Sequence, residues 1–216
     1  MSQSHPPEVL FLLATGCHHC PMVLESLTQQ LKQGNLARLD AVNIVNSPEV
    51  AQQLGVRSVP WTRIGRFELD GVMSPKEVSQ WIERTALETG VADYFSESLA
   101  AQRSDKVIHW LEESPQDLQV LLELQENDAT PMAARIGIGV VMEQLEGDPR
   151  LSHALPTLIT LSRSKQANIR ADVAHYLGLT HHPDARPALL KMVNDSHPDV
   201  REIAEESLAL LNNVSG

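Results

Sequence analysis

Apolar and polar residues follow two different periods along this chain, and the change of period divides it. Val9-Leu10-Phe11-Leu12-Leu13 is apolar without a break, the pattern of a central strand covered on both faces. After it, Val23, Leu24, Leu27 and Leu31 recur at helical spacing, and Gly34-Asn35 closes the segment. Leu36 to Val42 reads as a second strand with Ala37, Leu39 and Ala41 on one face. Ser47-Pro48 offers an N-cap and a first-turn proline to a short helix through Leu54, ended by Gly55. Trp61-Thr62-Arg63-Ile64 and Phe67-Glu68-Leu69, parted by Gly65-Arg66, form a predicted antiparallel pair. Ser74-Pro75-Lys76-Glu77 is a capping box that opens a helix burying Val78, Trp81 and Ile82. The predicted order is β-α-β-α-β-β-α.

Beyond Gly90 the strand period disappears. Helices are predicted over 91–102, 105–113, 115–124, 132–145, 154–161, 169–177, 186–193 and 200–210, with breaks at Ser114-Pro115, Gly147-Asp148-Pro149, His182-Pro183 and His197-Pro198. The later helices repeat. Pro156 and Leu158-Ile159 realign with Pro187 and Leu189-Leu190, and Asn168-Ile169-Arg170 with Asp199-Val200-Arg201 at the same offset. A degenerate earlier copy carries Ala134-Arg135, Ile138 and Met142 after Leu121 and Leu124. Arg170 and Arg201 are expected to pack between repeats, paired with an acid or a backbone carbonyl.

At 216 residues with 42% hydrophobic content, the chain suits two small packed domains. We expect an α/β domain over 1–89, a helical junction over 90–114 and an all-α repeat domain over 115–216. Tyr94, Phe95, Val107, Trp110 and Leu111 make that junction too apolar for a free linker. The formal charge of −11 without a basic patch argues against nucleic acid and anionic membrane surfaces as partners. Val9 to Ala14 is far too short to span a bilayer and lacks the flanks of a signal peptide. A cytoplasmic location is the expectation.

The only two cysteines stand in Thr15-Gly16-Cys17-His18-His19-Cys20-Pro21, between the first strand and the first helix, with Cys17 expected at or just before the helix N-terminus and Cys20 one turn in. In the cytoplasm this spacing serves redox or metal chemistry more often than structure. Unpaired N–H groups and the positive dipole end of a helix favour a thiolate at Cys17, and His18 is placed to add to that effect. Zinc needs four convergent ligands, which four consecutive residues cannot supply, and His181-His182 lies in the other half. No metal and no cofactor is therefore expected.

The element order, the dithiol after the first strand and Gly55-Val56-Arg57-Ser58-Val59-Pro60 together resemble the thioredoxin family. Proline directly after the second cysteine is similar to its glutaredoxin-like members. The resemblance covers roughly residues 8–88. It implies that Cys17 is the nucleophile and Cys20 the resolving thiol, and that Pro60 is a cis-proline facing them. With Val59 and Trp61, Pro60 would line the groove for a protein disulfide or dithiol substrate. Trp61 suits the core equally well. Gly71 falls where the family has a glycine after its last strand. Two departures are visible: Phe11 stands in the region expected for a buried acid, and Thr15-Gly16 replaces the usual preceding tryptophan.

The second half resembles HEAT-like helical repeats, over about 115–212 by repeat length. It holds no clustered nucleophile and base, so it reads as a surface for a protein partner. Two functions follow. One is a thiol–disulfide oxidoreductase whose HEAT-like half selects a partner. The other is an interaction scaffold that senses redox state through its dithiol.

Overall fold

The computed structural model describes residues 5–214, with side chains described to Asn212. The chain forms two compact units that meet in sequence between Val91 and Ala92.

The first unit holds a mixed sheet of four strands, β1 (Glu8–Leu13), β2 (Arg38–Asn43), β3 (Trp61–Ile64) and β4 (Phe67–Asp70), in the order β2-β1-β3-β4. β1 runs parallel to β2 and antiparallel to β3, with Leu13 beside Asn43 and Leu12 beside Trp61. Three helices complete the unit: α1 (Cys20–Lys32), α2 (Pro48–Gln53) and α3 (Pro75–Arg84). The unbroken apolar run of β1 is explained by its central place, because side chains alternate between two covered faces. On one face Leu12 and Trp61 pack with Ala51 of α2, joined by Leu10, Val50 and Leu54. On the other, Val9, Phe11, Ile64 and Phe67 are buried, and the Phe67 ring lies 5.3 Å from that of Trp81 of α3.

Gly65, at φ +58°, takes the left-handed conformation that a two-residue hairpin turn requires between β3 and β4. The capping box of α3 forms as expected. Ser74 Oγ accepts from the Glu77 N–H, and Glu77 Oε2 accepts from the Ser74 N–H at 2.7 Å. These bonds hold the Glu77 carboxyl below its usual range, against a small opposing effect of burial.

Three local expectations are corrected. β2 is an edge strand whose Ala41, like the preceding Ala37, is exposed, so the predicted apolar face is covered only at Leu39. The buried residue there is Leu36, before the strand begins. Ser47 stands at the N-cap of α2 without a side-chain cap bond. Cys20 is the first residue of α1 rather than one turn inside it. Pro21 in the first turn explains that start, since a proline there forfeits no helical hydrogen bond.

The second unit is helical: α4 (Gly90–Ala100, entering from the first unit), α5 (Ser104–Glu113), α6 (Leu118–Glu126), α7 (Met132–Gln144), α8 (Leu155–Leu161), α9 (Ala167–Leu179), α10 (Arg186–Met192) and α11 (Pro198–Val214). Short 3₁₀ turns at Pro115–Asp117, Pro149–His153 and Pro183–Ala185 precede α6, α8 and α10. Each opens on the proline that the sequence uses as a break. The pairs α6–α7, α8–α9 and α10–α11 repeat, with α9 packed between α7 and α11. Tyr94, Phe95 and Trp110 cluster, with Phe95 edge-on to Trp110 at 5.9 Å, and α5 packs on α7 to cover that end of the array.

Arginines at matching positions make polar contacts both within a repeat and, at Arg170, to the next one. Arg170 pairs with both carboxylate oxygens of Asp195, at 2.7 and 2.8 Å, and donates to the Ser164 carbonyl. Arg201 donates to the carbonyl of Asp195, and Arg135 to that of Asn127. The repeat arginines are therefore structural: Arg170 joins its repeat to the next, as expected, whereas Arg201 and Arg135 hold the loop before their own helix. At Gly178 a Cβ would lie 2.8 Å from the Ser207 Cβ, so α9 and α11 approach where only glycine fits.

Candidate functional site

The dithiol lies at the end of the sheet where β1 stops. Leu13 ends the strand, Thr15 and Gly16 turn the chain with Gly16 at φ +83°, and the Cys17 N–H donates to the Ala14 carbonyl at 3.1 Å. Asn43 Nδ2 donates to Thr15 Oγ1 at 3.0 Å, which ties the turn to the end of β2. Cys17 and Cys20 are joined by a disulfide. The Cys20 N–H, one of the unpaired donors that open α1, points to Cys17 Sγ at 3.2 Å. Cys17 is half-buried and Cys20 is buried, so Cys17 is the more accessible of the two.

Val59-Pro60 is a cis peptide. Because Leu12 pairs with Trp61 across β1 and β3, this peptide stands at the same sheet end as the turn that carries Cys17. The structure thus puts Val59 and Pro60 at the same sheet end as the dithiol turn although they follow it by some forty residues in sequence. The Pro60 carbonyl accepts from the Gly71 N–H at 2.9 Å, and proline has no N–H. Backbone groups able to meet an extended substrate at this point are therefore those of Val59.

Trp61 is a core residue rather than a groove lining. It is 1% exposed and packs against Leu12 and Ala51, because inward and outward positions alternate along β3 and Trp61 takes the face that α2 covers. His18 and His19 are exposed in the turn before α1, and His19, at the N-cap, makes no side-chain cap bond. Phe11 is completely buried, and its partner across the sheet is Thr62. The Thr62 hydroxyl is buried and has no hydrogen-bond partner among the described residues.

Two contributors escaped the sequence reading. Asn43 matters only once the β1–β2 register sets it beside Thr15. Val72, directly after Gly71, is 43% exposed at this end of the sheet. Its signal was an apolar residue in a turn, where no helix or strand needs one. Among the described residues no group of three or more His, Cys, Asp or Glu could hold a metal ion. Among them, too, no helix is long and apolar enough to cross a membrane.

Set beside known proteins, residues 8–83 match the family model of the thioredoxin domain, and residues 118–209 match that of HEAT repeats. No curated protein matches the chain. The chain is thus a thioredoxin-like domain followed by a HEAT-like repeat domain.

Proposed function

We propose that this fusion is a cytoplasmic thiol–disulfide oxidoreductase whose HEAT-like unit selects a protein partner. The observation that carries the reading is a dithiol at a helix N-terminus with a cis Val59-Pro60 peptide at the same end of the sheet. In the reduced protein the Cys17 thiolate attacks one sulfur of a partner disulfide and expels the other as a thiolate. A mixed disulfide forms. Cys20, deprotonated, then attacks Cys17 Sγ, so the second partner thiolate leaves and the Cys17–Cys20 bond closes. Two electrons pass to the partner, and the reverse sequence oxidises a partner dithiol. The first-turn N–H groups of α1 favour the Cys17 thiolate as nucleophile and as leaving group, and His18 adds a donor or positive charge nearby.

Val59 presents its amide and carbonyl to an extended partner segment next to the attacked bond, and Pro60 fixes their direction. Exposed Val45 and Val72 give that end of the sheet an apolar rim. Exchange of Cys20 for serine stops the second attack, so the Cys20→Ser chain should accumulate mixed disulfides through Cys17. Cys17→Ser should abolish turnover of a disulfide substrate altogether. Persistence of turnover in Cys17→Ser would sink the proposal.

One observation favours a second reading, a redox-sensing scaffold. Phe11 puts no proton-transfer group on the β1 face that would serve Cys20, which slows turnover without preventing oxidation. A chain whose dithiol oxidises and reduces stoichiometrically, yet never turns over a protein disulfide, would establish this alternative.

A further inference from the structure

We propose that α7, α9 and α11, on the side turned away from α6, α8 and α10, bind an extended segment of a partner protein. That segment carries large apolar side chains at one end and lysine or arginine about six residues on. The inference rests on the reading that the HEAT-like unit selects a protein.

The first ground is α7 itself. Met132, Ala133, Ala134, Ile136, Ile138, Val140, Val141 and Met142 make it apolar almost all round, which is the pattern of a helix buried on every side. Only one side is buried, by Ala134, Ile138, Val141 and Met142. Met132, Ile136 and Val140 are 70%, 64% and 38% exposed, and their spacing puts them on one face. Neighbours on both flanks leave this face open. Gly137 lies against Leu99, and on the other side a Cβ on Gly139 would come within 3.6 Å of the Tyr176 hydroxyl of α9.

The second ground is the repeat. The arginines Arg135, Arg170 and Arg201 align the three helices, and the same offsets then mark their open faces. These are Ala133, Ile136 and Val140 on α7, then Asn168, Ala171 and His175 on α9, then Asp199, Glu202 and Glu206 on α11. The three acids are exposed, Asn168 is exposed, and Ala171 and His175 are half-buried. The surface therefore runs from apolar through small and polar to acidic, with one further acid, Glu143, at the C-terminal end of the α7 face, 3.7 Å from His175.

That gradient specifies the occupant. The acidic end calls for cations, which disfavours nucleic acid and a second copy of a chain with net charge −11. In the middle, Ala171 lets a backbone come close while Asn168 and His175 offer side-chain donors and acceptors. An extended segment has backbone groups for them, whereas a helix has already used its own. Packed helices lie about 8–10 Å apart, so the apolar and acidic rows are about 20 Å apart. An extended chain covers that distance in about six residues.

The test is a fluorescence-anisotropy titration of the full chain with a labelled peptide carrying a pair of leucines and, about six residues on, a run of lysines. A twin peptide with glutamates in place of the lysines is the control. The lysine peptide should bind saturably and more weakly as salt rises, and the twin about tenfold more weakly or not at all. Ile136→Ser should weaken binding of the lysine peptide about tenfold. The Glu202→Lys/Glu206→Lys chain should prefer the glutamate twin, a gain that unfolding cannot mimic. Equal affinity for the two peptides, or no switch on charge reversal, overturns the proposal, as does an Ile136-dependent dimer that binds neither peptide. Cys17→Ser should bind the lysine peptide unchanged, so a failed redox reading leaves this result standing. Conversely, redox turnover that survives alongside failed peptide binding rejects the docking surface alone.

Discussion

The two units make opposite use of distance along the chain. In the thioredoxin-like unit the site exists because a sheet sets residues far apart in sequence side by side. Leu12 pairs with Trp61 and Leu13 with Asn43, and only that register brings Val59-Pro60 and Asn43 to the turn carrying Cys17. In the HEAT-like unit each helix pair meets the pair next to it in sequence, with α9 between α7 and α11. Its two-bond ion pair between Arg170 and Asp195 spans one repeat and is spent on stacking. One unit concentrates its candidate site at a point. The other spreads a surface, and its charged pairs hold that surface together rather than react.

The largest effect expected from breaking this contrast is in the sheet. Phe11→Ala empties a fully buried site on the central strand and should cost the first unit about 3–5 kcal/mol. Trp61 and Trp81 belong to that unit and Trp110 to the other, so denaturant unfolding of a Trp110→Phe chain, followed by tryptophan fluorescence, reads it directly. A loss below about 1 kcal/mol would mean that the β1 core is not what holds the site.

Next is the bridge between repeats. The Arg170 and Asp195 side chains are only 13% and 12% exposed, and Arg170→Ala should destabilise the second unit by about 2–3 kcal/mol. Hydrogen bonds from Arg170 hold the Asp195 carboxyl down at about 2, from an ordinary 3.8, against the opposing effect of burial and with further help from the His197 N–H. A depressed carboxyl contributes stability above its unfolded value. That contribution is therefore complete above about pH 4 and is lost as the pH falls towards about 2. Thermal melts across this range should show the acid loss in the parent chain and a flatter profile in Arg170→Ala. Identical profiles would show that the bridge carries no stability.

The smallest effect lies at a helix end. Ser74→Ala removes one half of the capping box and should cost about 1 kcal/mol, measurable by the same fluorescence unfolding. An effect as large as that of Phe11→Ala would place the cap among the determinants of the sheet, contrary to its exposed position.

Much of this was legible in the residues. The uninterrupted apolar run identified β1 as central, and Ser74-Pro75-Lys76-Glu77 fixed the start of α3. The pair Cys17 and Cys20 with Val59-Pro60 pointed to a dithiol site, and the recurring arginines marked the repeats. Each of these is a local pattern or a short motif whose physics acts within a few residues. Trp61 was undecided between core and groove because strand alternation says that one face is covered but not which one. Ala37 and Ala41 misled for a related reason, since an edge strand leaves small residues uncovered whatever their period.

The sequence by itself determined the periods, the caps, the breaks and the presence of a dithiol before a helix, because backbone sterics and side-chain spacing act locally. Only the tertiary structure decided which faces are buried. It put Trp61 under α2, put Asn43 against Thr15 and Val59-Pro60 at the same sheet end as the dithiol turn, and left Met132, Ile136 and Val140 of α7 uncovered. Burial is a relation between elements, and that relation is set by sheet register and helix stacking, which no single stretch of the chain contains.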